Sequence, residues 1–154
     1  WLLRNAPAYA EKAARVSAAT KDISEILVSE AAALKSLTPR PSPLTQKRIA
    51  YHPPCTLQHG QKLTGGVEML LTDAGFELAA VAEKHLCCGS AGTYSILQPE
   101  IAGALKARKL GHLQAGAPEM IVTANIGCLT HLQSGTSIPV RHWVELLDDA
   151  LAAH

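Results

Sequence analysis

Four cysteines are the residues of this chain with the most evident chemistry, and they are grouped as Cys55, the adjacent pair Cys87 and Cys88, and Cys128. Thiolates are preferred ligands of zinc and of iron–sulfur clusters. No basic segment followed by an apolar stretch and a cleavage site marks a secretory signal, so metal ligation is favoured over disulfides. The alternative is a set of inert buried thiols, since free cysteine is often buried. The grouping favours the metal site.

The spacing of these cysteines is unusual for a metal site. Adjacent Cys87 and Cys88 match neither the C-x₂₋₄-C spacing of zinc sites nor the spacing of ferredoxins. Adjacent side chains on a strand point to opposite sides, whereas in a loop both can face one metal. Gly89 and Gly92 follow the pair, and glycine allows both a close approach to a ligand and a positive φ. We therefore expect the pair to lie in a loop.

Alternating apolar segments predict the elements that position the cysteines. Helical periodicity is typical of residues 61–74, 99–115 and 143–153, and strand-like runs occupy 48–52, 76–81 and 120–124, with a possible edge strand at 138–141. This alternation predicts an α/β fold, a parallel sheet with helices on its faces, preceded by a long N-terminal helix. Each cysteine or cysteine pair follows a predicted strand, so all are expected at the carboxyl edge of the sheet, where ligands bind.

The region before the first strand is predicted to be a single helix from Tyr9 to about Leu37, packing through Ile23, Leu27 and Leu34. Three prolines between 39 and 43 end it. The predicted organisation is an N-terminal helical arm at 1–37, a Pro-rich connector at 38–46 and a cysteine-rich α/β domain at 47–154. Because the chain begins with Trp1, we expect it to be part of a longer protein.

Composition and motifs exclude several classes of function. A net charge of +1 without long blocks of one sign gives no reason to expect a nucleic acid partner. No apolar run reaches the roughly 18–20 residues of a membrane-spanning helix, so we expect a soluble protein without a transmembrane segment. The glycines at 65–66 and 89–92 match neither a dinucleotide fingerprint nor a P-loop. Ser90 lacks the context of a hydrolase nucleophile. We assign no catalytic residue.

Histidines close to the cysteines are candidates either to ligate a metal or to donate hydrogen bonds to its ligands. They are His52, His59, His85 and His131. For any one of them, the commoner role is that of an ordinary loop or helix-end residue.

Three segments carry a family resemblance. They are YHPPCTLQH at 51–59, CCGSAGTY at 87–94 and NIGCLTHL at 125–132. Together they resemble the cysteine-rich CCG domain, which is shared by iron–sulfur subunits of glycolate oxidases, lactate-utilisation proteins, anaerobic glycerol-3-phosphate dehydrogenases and heterodisulfide reductases. The resemblance covers nearly the whole chain and is strongest to the C-terminal part of glycolate oxidase iron–sulfur subunits.

The family pattern, a cysteine followed by CCG and then CxxC, has five cysteine positions, and this chain fills four of them. Asn125 stands at the first position of the CxxC pair, and a carboxamide is a weaker ligand than a thiolate for iron or zinc. The resemblance implies that the cysteines hold a [4Fe-4S] type iron–sulfur cluster or zinc, with Asn125 beside them. Handled in air, the isolated domain is expected to lack an intact cluster and to contain an empty site, zinc or a disulfide.

The resemblance also implies a function in electron transfer. The chain would relay electrons from a flavin-containing oxidase subunit, which oxidises glycolate or a related 2-hydroxy acid, toward quinone. It would be a non-catalytic portion of an oxidoreductase complex, inactive alone, and separated here from the family's ferredoxin-like half. Its expected location is cytoplasmic, peripheral to the inner membrane through its complex. The alternative is a zinc-stabilised structural or docking module of such a complex that does not transfer electrons.

Overall fold

The computed structural model describes Leu3 and residues 5–37 and 45–152. Four strands form the sheet: β1 (Arg48–His52), β2 (Glu77–Leu78), β3 (Met120–Thr123) and β4 (Val140–His142). The helices are α1 (Ala10–Ala19), α2 (Ile23–Ser29), α3 (Ala31–Leu37), α4 (Gly66–Asp73), α5 (Tyr94–Leu97), α6 (Pro99–Gln114), α7 (Ile126–Gln133) and α8 (Trp143–Ala152). A π-helical turn, Thr56–Gly60, follows β1. The predicted α/β class with an N-terminal helical region is confirmed.

The sheet is parallel throughout, with the strand order β2-β1-β3-β4. The two central strands are almost entirely buried, as expected for a parallel sheet covered on both faces. The chain passes from β1 to β2 on one side and then crosses back to β3 on the other side of β1. This change of direction leaves a crevice between the carboxyl ends of β1 and β3, the usual ligand site in open α/β sheets.

Alternation along the strands divides the core into two clusters. Ile49 and Tyr51 belong to the cluster that also contains buried side chains of α4 and α8. Ala50 belongs to the other cluster, with buried side chains of α6 and α7. Side chains two residues apart on a strand share a face, so His52 lies on the same face of the sheet as Ala50. That cluster also includes Cys88 and Cys128.

The N-terminal region is helical, but it forms three short helices, so the prediction of one continuous helix was wrong. Asp22 begins α2 with a capping box: its side chain accepts from the Ser24 backbone N–H, and Glu25 accepts from the Asp22 backbone N–H at 2.8 Å. These bonds satisfy the free N–H groups of a new helix start. Leu27 and Leu34 pack against the core as predicted. Ile23 is 44% exposed, which corrects its assignment to the packed face.

Other boundaries differ from the sequence prediction in detail. Helix α4 begins only at Gly66, because residues 61–65 after the π-helical turn are not helical and Gly65 takes a positive φ of 79°. Strand β2 is two residues long, shorter than predicted. Strand β4 is at the edge of the sheet, as predicted. Of the predicted connector, residues 38–44 lie outside the described residues.

Within residues 5–37 and 45–152, no helix is long and apolar enough to cross a bilayer.

Candidate metal centre

The carboxyl ends of β1 and β3 form the floor of the candidate site. His52 ends β1 and pairs in register with Thr123, which ends β3. The Thr123 hydroxyl donates a buried hydrogen bond of 2.9 Å to the His52 carbonyl and ties the two strand ends together. Cys55 follows β1 within three residues, and Cys128 lies in the first turn of α7, which begins three residues after Thr123. Parallel topology thus places both cysteines at the same edge.

The inner part of the site is a buried group of three side chains, His52, Cys88 and Cys128. One ring nitrogen and the two sulfurs lie within 4.8 Å of one another. Their exposed fractions are 0%, 1% and 8%. Ligand atoms around a tetrahedral zinc at metal–sulfur distances of about 2.3 Å are separated by just under 4 Å. The three donor atoms are therefore close enough to hold one metal ion.

The His52 ring has the properties of a potential metal ligand. It is fully buried, and neither ring nitrogen has a hydrogen-bond partner among the described residues. Leaving a buried polar group unsatisfied costs about 1–3 kcal/mol. A metal ion that accepts the lone pair of one ring nitrogen would satisfy that nitrogen. The residues present therefore fit a metal that prefers sulfur and nitrogen ligands.

Cys55 and Cys87 form the outer, half-buried part of the site. Burial, followed by the charge of the neighbouring Cys87, raises the pKa of the Cys55 thiol to about 11. The Gly89 backbone N–H donates to the Cys87 sulfur at 3.3 Å. The adjacent cysteines of the loop thus interact with different neighbours, Cys87 with Cys55 and Cys88 with Cys128. All four thiols still meet at one edge of the sheet.

Cys88 is the thiol most disposed to ionise. A hydrogen bond from Cys128 lowers the pKa of Cys88, and the nearby His52 ring and the Ser90 backbone N–H lower it further, against the effect of burial. The pKa of Cys128 is raised, first because its proton is shared with Cys88 and then because of burial. Metal ligation requires thiolates, and these contacts favour the thiolate form of Cys88.

Asn125 is the N-cap of α7. Its side-chain oxygen accepts hydrogen bonds from the backbone N–H groups of Gly127 at 2.9 Å and Cys128 at 3.2 Å. Asparagine is among the favoured N-cap residues. The carboxamide oxygen is thereby engaged in orienting the turn that carries Cys128.

Gly89 allows the CCG loop, residues 83–90, to dock closely on α6. Its φ is +93°, and a Cβ atom built there would lie 2.4 Å from the carbonyl oxygen of Ala102. The same loop contacts the start of α7, where a Cβ on Gly127 would lie 2.9 Å from the Ser90 hydroxyl. The loop is held between two helices by contacts that leave no room for additional side-chain atoms.

The remaining candidate histidines lie around this centre in different ways. The exposed His59 places Nε2 at 3.2 Å from the backbone carbonyl oxygen of His85, which is also exposed. His131 places Nε2 at 3.4 Å from the Ala102 carbonyl oxygen, beside Gly89. Of the histidines named from the sequence, His52 alone joins cysteines in the compact group of potential ligands found among the described residues.

Lys109 lies at the site but was not among the residues predicted from the sequence. It lies on α6, has no exposed surface, and donates hydrogen bonds to the carbonyl oxygens of Glu83 and Lys84 in the CCG loop. Nothing in the sequence distinguishes it from the exposed basic residues of the same helix.

The orphaned ring leads to a prediction about His52→Leu. Without metal, the variant should be more stable to urea by about 1–3 kcal/mol, because it removes two unsatisfied buried nitrogens. Its affinity for Zn²⁺, measured by competition with a chromophoric chelator, should fall at least about tenfold. The matched control is His112→Leu, whose half-buried ring pairs with Glu83 at 2.6 Å and should leave metal affinity unchanged. Equal zinc affinity in wild type and His52→Leu would contradict a ligand role.

The chain is similar in sequence to several known proteins. The glycolate oxidase iron-sulfur subunit of Escherichia coli (strain K12) is 49% identical over 150 residues, covering 97% of this chain and 35% of that protein. The uncharacterized protein YkgE of the same strain is 30% identical over 94% of the chain and 61% of its own length. Lactate utilization protein A of Shouchella clausii (strain KSM-K16) is 32% identical over 66% of the chain and 45% of its own length. The chain spans only part of each relative.

The family profile described as the cysteine-rich domain, CCG, matches residues 49–133. This range begins in β1, ends with α7, and contains all four cysteines together with His52. The chain is therefore a member of the cysteine-rich CCG domain family.

Proposed function

We propose that this chain is the cysteine-rich domain of an iron–sulfur subunit in a complex that oxidises a 2-hydroxy acid. The observation that carries the proposal is the meeting of four thiols with the orphaned ring of His52 at the carboxyl edge of the sheet. The similarity to proteins named as a glycolate oxidase iron-sulfur subunit and a lactate utilization protein supports this redox setting. The site residues agree with it chemically, since thiolates are the usual ligands of iron–sulfur clusters.

In this proposal, Cys55, Cys87, Cys88 and Cys128 hold a [4Fe-4S] type cluster. When bound, such a cluster accepts and releases single electrons. The protein contributes the arrangement around it. Burial of the inner cysteines excludes water, and the Gly89 N–H bond to the Cys87 sulfur stabilises negative charge there. Hydrogen bonds and burial of this kind are the means by which a protein sets a cluster's reduction potential.

Substrate oxidation belongs to a different subunit in this proposal. The reaction would take place on a flavin-containing partner, and this chain would contribute no catalytic residue to it. Electrons would then pass through this domain toward quinone. The parts of the subunit that this chain does not span would complete the path.

A zinc-stabilised docking module is the second candidate. One observation favours it: His52, Cys88 and Cys128 already form a compact nitrogen-and-sulfur set, and one further thiolate would complete the closed four-ligand shell of a structural zinc site.

Anaerobic reconstitution separates the two functions. The chain is incubated without oxygen with iron and sulfide, or with Zn²⁺, and metal content and the visible spectrum are recorded. We expect a brown protein that bleaches on reduction with dithionite, and loss of the colour in air because the outer cysteines are half-exposed. Tight zinc binding without iron uptake would support the docking module. Failure to bind either metal would contradict both functions.

A further inference from the structure

Lys109 is a fully buried lysine with an unusual environment. Its side chain is 0% exposed, and Nζ donates to the carbonyl oxygens of Glu83 at 3.0 Å and Lys84 at 3.1 Å. Lysine is almost never fully buried unless it is paired, because an unpaired charge inside a protein is expensive. Within the described part of the chain, no carboxylate lies at ion-pair distance from this ammonium group.

The nearest acidic side chain is committed elsewhere. The Glu83 carboxylate binds Arg108 at 2.7 Å and His112 at 2.6 Å, on the exposed side of α6. Burial lowers the pKa of Lys109, and the attractions that oppose this shift come first from Cys88, then from Cys55, and only then from Glu83. Among the groups that favour the charged form of Lys109, Cys88 and Cys55 therefore rank ahead of the Glu83 carboxylate.

Lys109 also belongs to the face of α6 that holds the CCG loop. Gly89 packs directly against the carbonyl oxygen of Ala102. Lys109 follows Ala102 by seven residues, which is about two helical turns along the same face. One contact holds the loop just after the cysteine pair, and the other holds it at residues 83 and 84 before the pair. Lys109 is thus bonded to the segment of the loop that leads into the cysteine pair.

We propose that Lys109 is a positioning residue that supplies the fixed positive charge of the metal centre. This inference rests on the proposed function only in requiring that the cysteines bind a metal. Cysteines bind a metal as thiolates, so a divalent ion held by three or four of them leaves the site with a net negative charge, whereas protonated thiols carry none. A buried ammonium bonded to the segment just before the cysteine pair favours the metal-bound form, whether the metal is zinc or part of a cluster.

The test measures Zn²⁺ affinity of the full chain by competition with a chromophoric chelator, and unfolding of the metal-free chain by urea. Lys109→Met and Lys109→Gln remove the charge, Lys109→Arg keeps it, and Lys106→Met removes a charge from the same helix where it bonds to Ser134 at 2.8 Å. We expect the Met and Gln variants to bind zinc about 10- to 100-fold more weakly, Arg to retain most of the affinity, and Lys106→Met to match wild type.

Each outcome separates the possibilities. Wild-type affinity in the folded Met or Gln variant would overturn the role of Lys109 while leaving the metal centre intact. If a folded Lys109→Arg variant loses as much zinc affinity as the Met and Gln variants, the shape of the lysine side chain matters instead of its charge. That result would also overturn the proposed role of Lys109. If Lys109→Arg does not fold, the zinc affinities of those Met and Gln variants that match wild type in urea stability decide whether Lys109 has this role. If Met does not fold, Gln decides alone. Absence of zinc and iron binding by wild type itself would instead overturn the proposed metal centre.

Discussion

Replacing Cys88 with serine is expected to reduce the affinity of the chain for zinc or iron by at least about 100-fold. Cys88 is the most buried cysteine, and it is the thiol whose pKa is lowered by its neighbours. Its neighbours favour the thiolate form that metal ligation requires, and a serine hydroxyl is a much poorer ligand for these metals. The measurement is metal content after anaerobic reconstitution, together with zinc affinity by chelator competition.

Cys55→Ser is the matched comparison for this substitution. Cys55 is half-buried at the outer edge, and its pKa is raised to about 11. We expect this variant to lose less zinc affinity than Cys88→Ser, while losing the ability to hold an iron–sulfur cluster. Wild-type metal affinity in Cys88→Ser, with the fold intact by circular dichroism, would contradict the site.

Gly89→Ala is expected to destabilise the protein by about 2–5 kcal/mol, the sum of about 1–2 for a left-handed backbone and about 1–3 for overpacking. The added methyl group would lie 2.4 Å from the Ala102 carbonyl oxygen, a backbone atom of α6 that cannot move without the helix. The loop would have to leave α6, taking the cysteine pair with it. Both the stability to urea and the affinity for zinc should therefore fall.

Gly92→Ala separates the two causes. Gly92 also has a positive φ, +63°, but a Cβ atom there would meet nothing within 4 Å. This variant should lose only the backbone contribution, about 1–2 kcal/mol, and should keep its metal affinity. If Gly89→Ala is no less stable than Gly92→Ala, the close docking of the CCG loop on α6 is wrong.

Much of the fold could be predicted from the chain itself. The residues 48–52 and 120–124 are short apolar runs typical of buried parallel strands, and the structure confirms both positions with the second ending at Thr123. Local signals also explain one error: the capping box of Asp22 and Glu25 is visible in the sequence, but the longer apolar periodicity concealed it. Strand β2 was overestimated because its alanines have little strand preference.

The sequence by itself determined that four cysteines follow successive strands, and parallel connections then require them to share one edge. Only the tertiary structure decided which side chains join them. The parity and register of β1 turn His52 toward Cys88 and Cys128, and the packing of α6 buries Lys109 behind the loop. These roles depend on contacts between residues distant in the chain, and neither local propensity nor spacing encodes such contacts.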